Sequence, residues 1–404
     1  MLFSKSAIPN LRASKPKPRR MFMSKQEKKQ VTDTDMANHA DLSYRFATIH
    51  ELIHAAHKTC SQGTWDYLAG GSDSETTLRR NRHGYDKLAL RPRAMVDVST
   101  FDPSVEFMGK KIRLPLILAP VGSIETFAEG GGVVTAQAAE RFNVFDMLSS
   151  RCTPGLEAVA QAADNPRIFQ LYVRGGDEFV DDHAKRAIDA GYDAFAVTVD
   201  SATYSRRERD LANRYLKKWR SNVTTDENTW QAQWTWDNVK RFKDKWDIPL
   251  ILKGIGDVDD AGRACEEGVD GVYISNHGGR ALDHGRGSIE VLPEVVAECK
   301  GKTKIIVDGG IQRATDIVKA KALGADMVGI GRLQCIGCAA AGVDGLVRLL
   351  EILEEELSIA FGLMGVTNWA QVGEDNLRAA DPVHEPSVWS SHIMTQLPAH
   401  PYGG

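Results

Sequence analysis

Gly271-Val272-Tyr273-Ile274-Ser275-Asn276-His277-Gly278-Gly279-Arg280 is the stretch on which the reading of this 404-residue chain turns. Its first four residues form a short apolar, strand-prone run, and the last six are polar or glycine. Histidine is the side chain whose ordinary pKa suits proton transfer near neutrality, and arginine presents a planar donor fork that matches a carboxylate. Set three residues apart across two glycines, His277 and Arg280 suggest acid–base chemistry on an acidic substrate. The same residues can equally make a surface turn, in which Asn276 and the glycines only shape the backbone. The rest of the chain decides between the two.

Runs of the same kind recur from residue 114 onward, each followed by a helical pattern: Leu114–Ala119, Val144–Leu148, Arg167–Tyr172, Ala194–Val199, Pro249–Lys253, Gly271–Ser275, Lys304–Val307 and Met327–Ile330. Eight strands alternating with helices imply parallel βα units. That number, without an early GxGxxG, favours an α/β fold of the closed (β/α)8 TIM-barrel type over an open doubly wound sheet. Residues 41–110 read as a helical preamble that feeds the barrel, and residues 41–404 as one domain. An insertion rich in Trp, Lys and Arg separates the fourth and fifth runs at about 201–247.

The polar residues fall at or just past the strand ends. They are Pro120-Val121-Gly122, Ser149, Gln170 with Tyr172, Thr198 with Asp200, Lys253, His277 with Arg280, Asp308-Gly309-Gly310 and Gly331-Arg332. Any one of them alone is a plausible cap or turn. Together they mark the rim on which a barrel builds its active site. The last two groups bring backbone amides, helix N-termini and a cation to the place where barrels commonly hold phosphate, which implies a phosphorylated cofactor or substrate.

A net charge of −4 gives no electrostatic case for nucleic acid or for an anionic membrane surface, and no apolar run reaches the roughly 18 residues of a membrane span. The partner is expected to be a small molecule. Six cysteines, at 60, 152, 265, 299, 335 and 338, follow no framework spacing and fit a reducing compartment, with Cys335 and Cys338 packing at a helix start. Residues 1–40 read as a basic, disordered tail, with nine Lys or Arg and the single acid Glu27 before residue 30. The expected location is cytoplasmic, the alternative being an organelle reached through that tail.

One motif competes. His50-Glu51-Leu52-Ile53-His54 has the HExxH pattern of zinc peptidases. Thr48 with Glu51 three residues later is also a helix capping box, and the metzincin continuation is absent, with Cys60 where its third histidine would fall. No metal is expected.

Taken in order, Trp65-Asp-Tyr67, Phe169-Gln-Leu-Tyr172, Thr198-Val-Asp200 leading to Arg206-Arg207-Glu208, Ser275 to Arg280, and Val307-Asp-Gly-Gly310 with Gly331-Arg332 resemble the FMN-dependent α-hydroxy acid oxidase and dehydrogenase family. The resemblance runs from about residue 60 to 370. It implies FMN as cofactor, with Pro120, Val121, Gly122, Ser149, Gln170 and Thr198 along the flavin rings and Lys253 at the pyrimidine edge. It places Asp308 on the ribityl chain and Gly309, Gly310, Gly331 and Arg332 around the phosphate. It makes His277 the base, oriented by Asp200, with Arg207 and Arg280 clamping the carboxylate of a 2-hydroxy acid and Tyr67 and Tyr172 bonding its oxygens. It further implies a homotetramer and a mobile lid in the insertion, which carries Trp219, Trp230, Trp234 and Trp236.

The sequence departs from the family at four positions. Ala281 replaces a glutamine, Gln312 an arginine near the phosphate, Arg151 a substrate-facing tryptophan of glycolate oxidases, and Gly122 an alanine. Gly122 implies extra room beside the flavin. Arg151 implies either a second polar group on the substrate or a side chain turned to solvent. Two other readings compete with the hydroxy acid one: a lyase or aldolase barrel with Lys253 as Schiff-base amine, and a zinc peptidase through His50 and His54.

Overall fold

The computed structural model describes residues 42–215, 225–383 and 385–392. The basic tail and Trp219 lie outside the described residues. After one turn of helix at Leu42–Arg45, the preamble folds as α1 (Ile49–Thr59), α2 (Gln62–Ala69) and α3 (Thr76–Asp86). The capping box is present at the start of α1: Thr48 Oγ1 accepts from the Glu51 N–H, and the Glu51 carboxylate accepts from the Thr48 N–H. Glu51 is thereby committed to the helix end. His50 is buried while His54 faces solvent. The structure thus gives Glu51 of the HExxH pattern a capping role.

Eight parallel strands follow: β1 (Leu116–Leu118), β2 (Phe145–Ser149), β3 (Arg167–Leu171), β4 (Ala194–Thr198), β5 (Leu250–Ile255), β6 (Gly271–Ile274), β7 (Lys304–Val307) and β8 (Met327–Ile330). They pair in sequence, and β8 pairs with β1 to close the barrel. Nearly every strand residue is buried, as parallel strands covered on both faces require. Inside, Ile117, Phe145, Met147, Ile168, Ala196, Ile251, Tyr273, Ile306 and Met327 fill the lumen. Phe107 and Ile112, from the hairpin Val105–Phe107 and Lys110–Ile112, pack onto that cluster, Phe107 edge-on to Phe145.

The outer helices are α4 (Gly132–Phe142), α5 (Leu156–Ala162), α6 (Asp177–Asp189), then α7 (Glu208–Ala212), α8 (Thr225–Gln233) and α9 (Trp236–Lys245) in the insertion. They continue as α10 (Val258–Glu266), α11 (Ser288–Cys299), α12 (Ala314–Ala322) and α13 (Arg332–Met364), which is broken at Ala341 and Gly342. Cys335 and Cys338 are buried in the first turns of α13 and form no disulfide. Trp234 and Trp236 pack against the core, whereas Trp230 stays partly exposed. Gln231 of α8 fixes the insertion to the rim, donating to Thr198 O and accepting from the Val173 N–H. No described helix is long and apolar enough to cross a membrane.

The preamble is docked by a buried ion pair. Arg82 of α3, 2% exposed, forks onto Asp316 of α12 at 2.8 and 2.9 Å and also donates to Gly310 O. Attraction to Asp316 and Asp86 holds this guanidinium charged against the cost of burial. The consequence is positional: α3 closes one side of the barrel mouth.

Candidate active site

Register brings the site together. Near the C-terminal ends of their strands, Ser149 of β2 is the cross-strand partner of Gln170 of β3, and Thr198 of β4 that of Lys253 of β5. Gln170 Nε2 donates to Thr198 Oγ1 at 2.7 Å, which ties the two pairs into one polar row at the rim. Gln170 Oε1 is buried without a partner. Lys253 donates to Ser275 Oγ at 3.2 Å and lies 3.6 Å from Asp308, whose Oδ1 is likewise buried and unpartnered. These are polar atoms folding has set aside for something else.

The opening stretch leaves β6 as a tight turn. His277, Gly278 and Gly279 all have positive φ, and for His277, at +59°, this costs energy that only a fixed surrounding sustains. Asn276 supplies that fixing: its amide pairs reciprocally with Asn81 of α3 at 2.8 Å both ways and accepts from the Gly279 N–H. Asp283 holds the far end of the stretch, accepting from Ser74 and from the Thr77 N–H. Burial opposes its charge, but those bonds overcome it and bring its pKa down to about 2. The glycine-rich stretch is thus a strained loop anchored to the preamble.

So held, His277 donates from Nδ1 to Asp200 Oδ1 at 3.0 Å, the carboxylate being able only to accept. That tautomer leaves Nε2 as an acceptor, and Tyr172 donates to it at 3.2 Å. Burial lowers the His277 pKa, outweighing the opposite pull of Asp200. Burial raises that of Tyr172, so its hydroxyl stays protonated. Asp200 is held ionised by His277 and Lys253 against the penalty of its own burial. A neutral imidazole with a fixed tautomer is what a general base needs.

Arg280 and Arg207 stand beside this array. Arg280 Nη1 donates to Tyr67 O and Gly70 O, with its Cζ 4.5 Å from the centre of the Tyr67 ring. Its Nη2 is buried without a partner. Arg207 donates to Ser205 Oγ and Arg280 O at 3.4 and 3.5 Å and lies over the Tyr204 ring, its Cζ 4.6 Å from the ring centre. Burial and then the neighbouring Arg207 push the Arg280 pKa down. Two like charges side by side, with no described carboxylate paired to either, form a site for an anion.

One cleft joins these groups. Tyr67, Pro120, Val121, Gly122, Lys253, His277 and Arg280 border one end, and Asp308, Gly309, Gly310, Gly331 and Arg332 the other. Ser149, Gln170, Thr198, Tyr172, Asp200 and Arg207 are not among the residues that border the cleft and are joined to it through the contacts given above. A Cβ built on Gly331 would meet nothing within 4 Å, so that position opens onto free space. Arg332, however, directs all three of its nitrogens at carbonyls: Leu68 O, Gly278 O and Gly70 O. Sequence reading missed Asn81, Arg82, Phe127 and Ser387–Trp389, which also line the cleft. The tryptophan in a polar C-terminal segment was the available signal for the last of these.

Two of the departures prove to be one. A Cβ on Gly122 would come 3.2 Å from Arg151 Cβ, so the room left by glycine is partly filled by Arg151 rather than free beside the cleft. Arg151 is half-buried, neither plainly solvent-facing nor among the residues bordering the cleft. Gln312 is buried and turned toward the C-terminal segment. Nothing in the structure explains Ala281.

The profile of the FMN-dependent dehydrogenase family matches residues 56–379. A peroxisomal (S)-2-hydroxy-acid oxidase of Oryza sativa subsp. japonica is 35% identical over 366 residues, covering 86% of this chain and 96% of the relative. An L-lactate oxidase of Nostoc sp. is 36% identical over 330 residues, covering 76% and 90%. A crystal structure of mandelate oxidase superposes with a TM-score of 0.78 at 34% identity, covering 84% of this chain and 99% of that one.

Proposed function

Because the chain belongs to the FMN-dependent α-hydroxy acid oxidase family, we propose that it oxidises an L-2-hydroxy acid to the 2-oxo acid with His277 as the base. The observation that carries this reading is the array Asp200–His277–Tyr172 set beside two arginines that lack an anion. The chain uses FMN, and its residues fit that group. The unpartnered Gln170 Oε1 suits an N–H of the flavin ring and the unpartnered Asp308 Oδ1 a ribityl hydroxyl. Pro120, Val121, Gly122, Ser149 and Thr198 complete the ring site, Lys253 offers a cation to its electron-rich edge, and the backbone of Gly309, Gly310 and Gly331 holds the phosphate, with Arg332 beside it as a nearby positive charge whose nitrogens are turned to carbonyls. Bound FMN supplies the acceptor for the electron pair that leaves the substrate.

The chain's own residues do the remaining work. Arg280 Nη2 and Arg207 bind the carboxylate, which fixes the α-carbon beside His277. Tyr67 and Tyr172 orient the substrate oxygens. Nε2 takes a proton as the hydroxy acid is oxidised, and Asp200 stabilises the imidazolium so formed. Tyr172, no longer able to donate to a protonated Nε2, can turn its hydroxyl to the substrate. Membership of this family displaces the lyase and peptidase readings of Lys253 and of His50 with His54.

The names of the relatives support oxygen as the final acceptor. Anaerobic mixing with a panel of 2-hydroxy acids tests the reading: at least one bleaches the flavin, and air restores the colour. No bleaching by any of them would refute it. A homotetramer, tested by sedimentation, rests on the resemblance alone. The cytoplasm is the proposed compartment; the peroxisomal naming of the rice relative supports the organelle alternative, and a fluorescent fusion separates the two.

A further inference from the structure

The C-terminal segment Ser387–His392 closes one end of the cofactor cleft. Ser387, Val388 and Trp389 border it beside Gly310, Gln312 and Arg332. Gln312, 5% exposed, gives its whole side-chain amide to this segment. Nε2 donates to Val388 O at 2.7 Å and more loosely to Ser387 O at 3.4 Å, and Oε1 accepts from the Ser391 N–H at 2.8 Å. Arg313 adds two donations to Ser391 O while Glu356 holds its other nitrogen. The segment is itself a closed turn, in which Ser387 Oγ accepts from the Trp389 N–H and Ser387 O from the Ser390 N–H. Trp389 then stacks on Trp65 of α2 at 5.4 Å, so the segment bridges the loop after β7 to the preamble across the end of the cleft.

We propose that Gln312 is a positioning residue for FMN: it latches residues 387–391 over the phosphate end of the cleft, so that the cofactor leaves only when this segment lifts. The inference rests on the chain's use of FMN and not on which hydroxy acid it oxidises. A buried side chain with both amide atoms committed to the strap acts on the cofactor through the strap. Release then follows the population of the lifted state, which the latch bonds hold down. Losing two or three net-favourable hydrogen bonds raises that population roughly 10- to 100-fold.

The test is the rate at which FMN leaves the full-length holoprotein after dilution, read as the rise of free-flavin fluorescence with no substrate present. Gln312→Ala removes the latch from one side, and Ser391→Pro removes from the other the N–H that Gln312 accepts. Gln312→Ala speeds release about tenfold or more and Ser391→Pro, which removes one bond of the latch, about 2- to 10-fold, and the double variant is no faster than Gln312→Ala alone, because both break the same latch. Release from Ser391→Pro at the wild-type rate overturns the proposal, and so does a double variant whose acceleration is the product of the two single ones. The Ser391→Pro arm stands alone if Gln312→Ala does not fold. Failure of every hydroxy acid to bleach the flavin would leave this test untouched, since it is read without substrate.

Discussion

The two ends of one cleft treat charge in opposite ways. At the His277 end, Arg280 keeps a buried N–H without a partner, and the two hydrogen bonds of Arg207 are long, at 3.4 and 3.5 Å. At the Gly310 end, Arg82 is forked onto Asp316, Arg332 points at three carbonyls and Gln312 at the C-terminal segment. The first end is left incomplete by folding, and we propose that the substrate's carboxylate completes it. The second uses its charged groups to hold α3, the β6 loop and the C-terminal segment in place, leaving glycine backbone to face the ligand. Function at one end and stability at the other are therefore separable by mutation.

The largest expected effect lies at the incomplete end. His277→Gln keeps a side chain that hydrogen-bonds but no base, so FMN stays bound while its reduction by a hydroxy acid, followed anaerobically at the flavin absorbance, slows about 10³- to 10⁴-fold. Next is Arg280→Lys, in which an ammonium cannot reproduce the fork. Apparent substrate affinity falls about 10- to 100-fold with a smaller change in the rate at saturation. An unchanged Michaelis constant would remove Arg280 from the clamp.

At the committed end the same kind of change unfolds rather than inactivates. Arg82→Ala leaves Asp316 buried without its partner and lowers stability by about 3–5 kcal/mol in denaturant titration. A stable protein with poor flavin reduction would break the comparison. The smallest effect is a pH dependence. Burial and then Arg313 lower the His50 pKa to about 4, so between pH 6.5 and 4 the unfolded chain binds a proton that the native one refuses. Stability is therefore lost as pH falls through that window. The melting temperature of wild type falls by about 3 °C more than that of His50→Phe, measured at pH 6.5 and 4.5.

The barrel was legible because each strand is a short local run, and two of the eight, Lys304–Val307 and Met327–Ile330, begin and end where the sequence places them. The others shift by one or two residues, as at Leu114–Ala119, where the ladder holds only Leu116–Leu118. Strand ends depend on pairing, which a single run does not encode. His277, Arg280 and the glycines were legible for the same local reason. Asn81 and Arg82 were not, since their partners Asn276 and Asp316 lie 195 and 234 residues away and in the sequence they read as part of a charged helix. Gln312 and Arg151 stood out as departures, but only packing shows that one anchors a distant segment and the other abuts Gly122.

The central claim is that the His277 end awaits an anion, and the most direct test changes only that charge. Anaerobic flavin reduction is compared for a 2-hydroxy acid that bleaches the enzyme and for its primary amide, equal in size and bearing the same α-carbon. The acid reduces the flavin, and the amide does so at least about 100-fold more slowly at equal concentration, because the two arginines find no carboxylate. Equal rates for acid and amide would contradict the account.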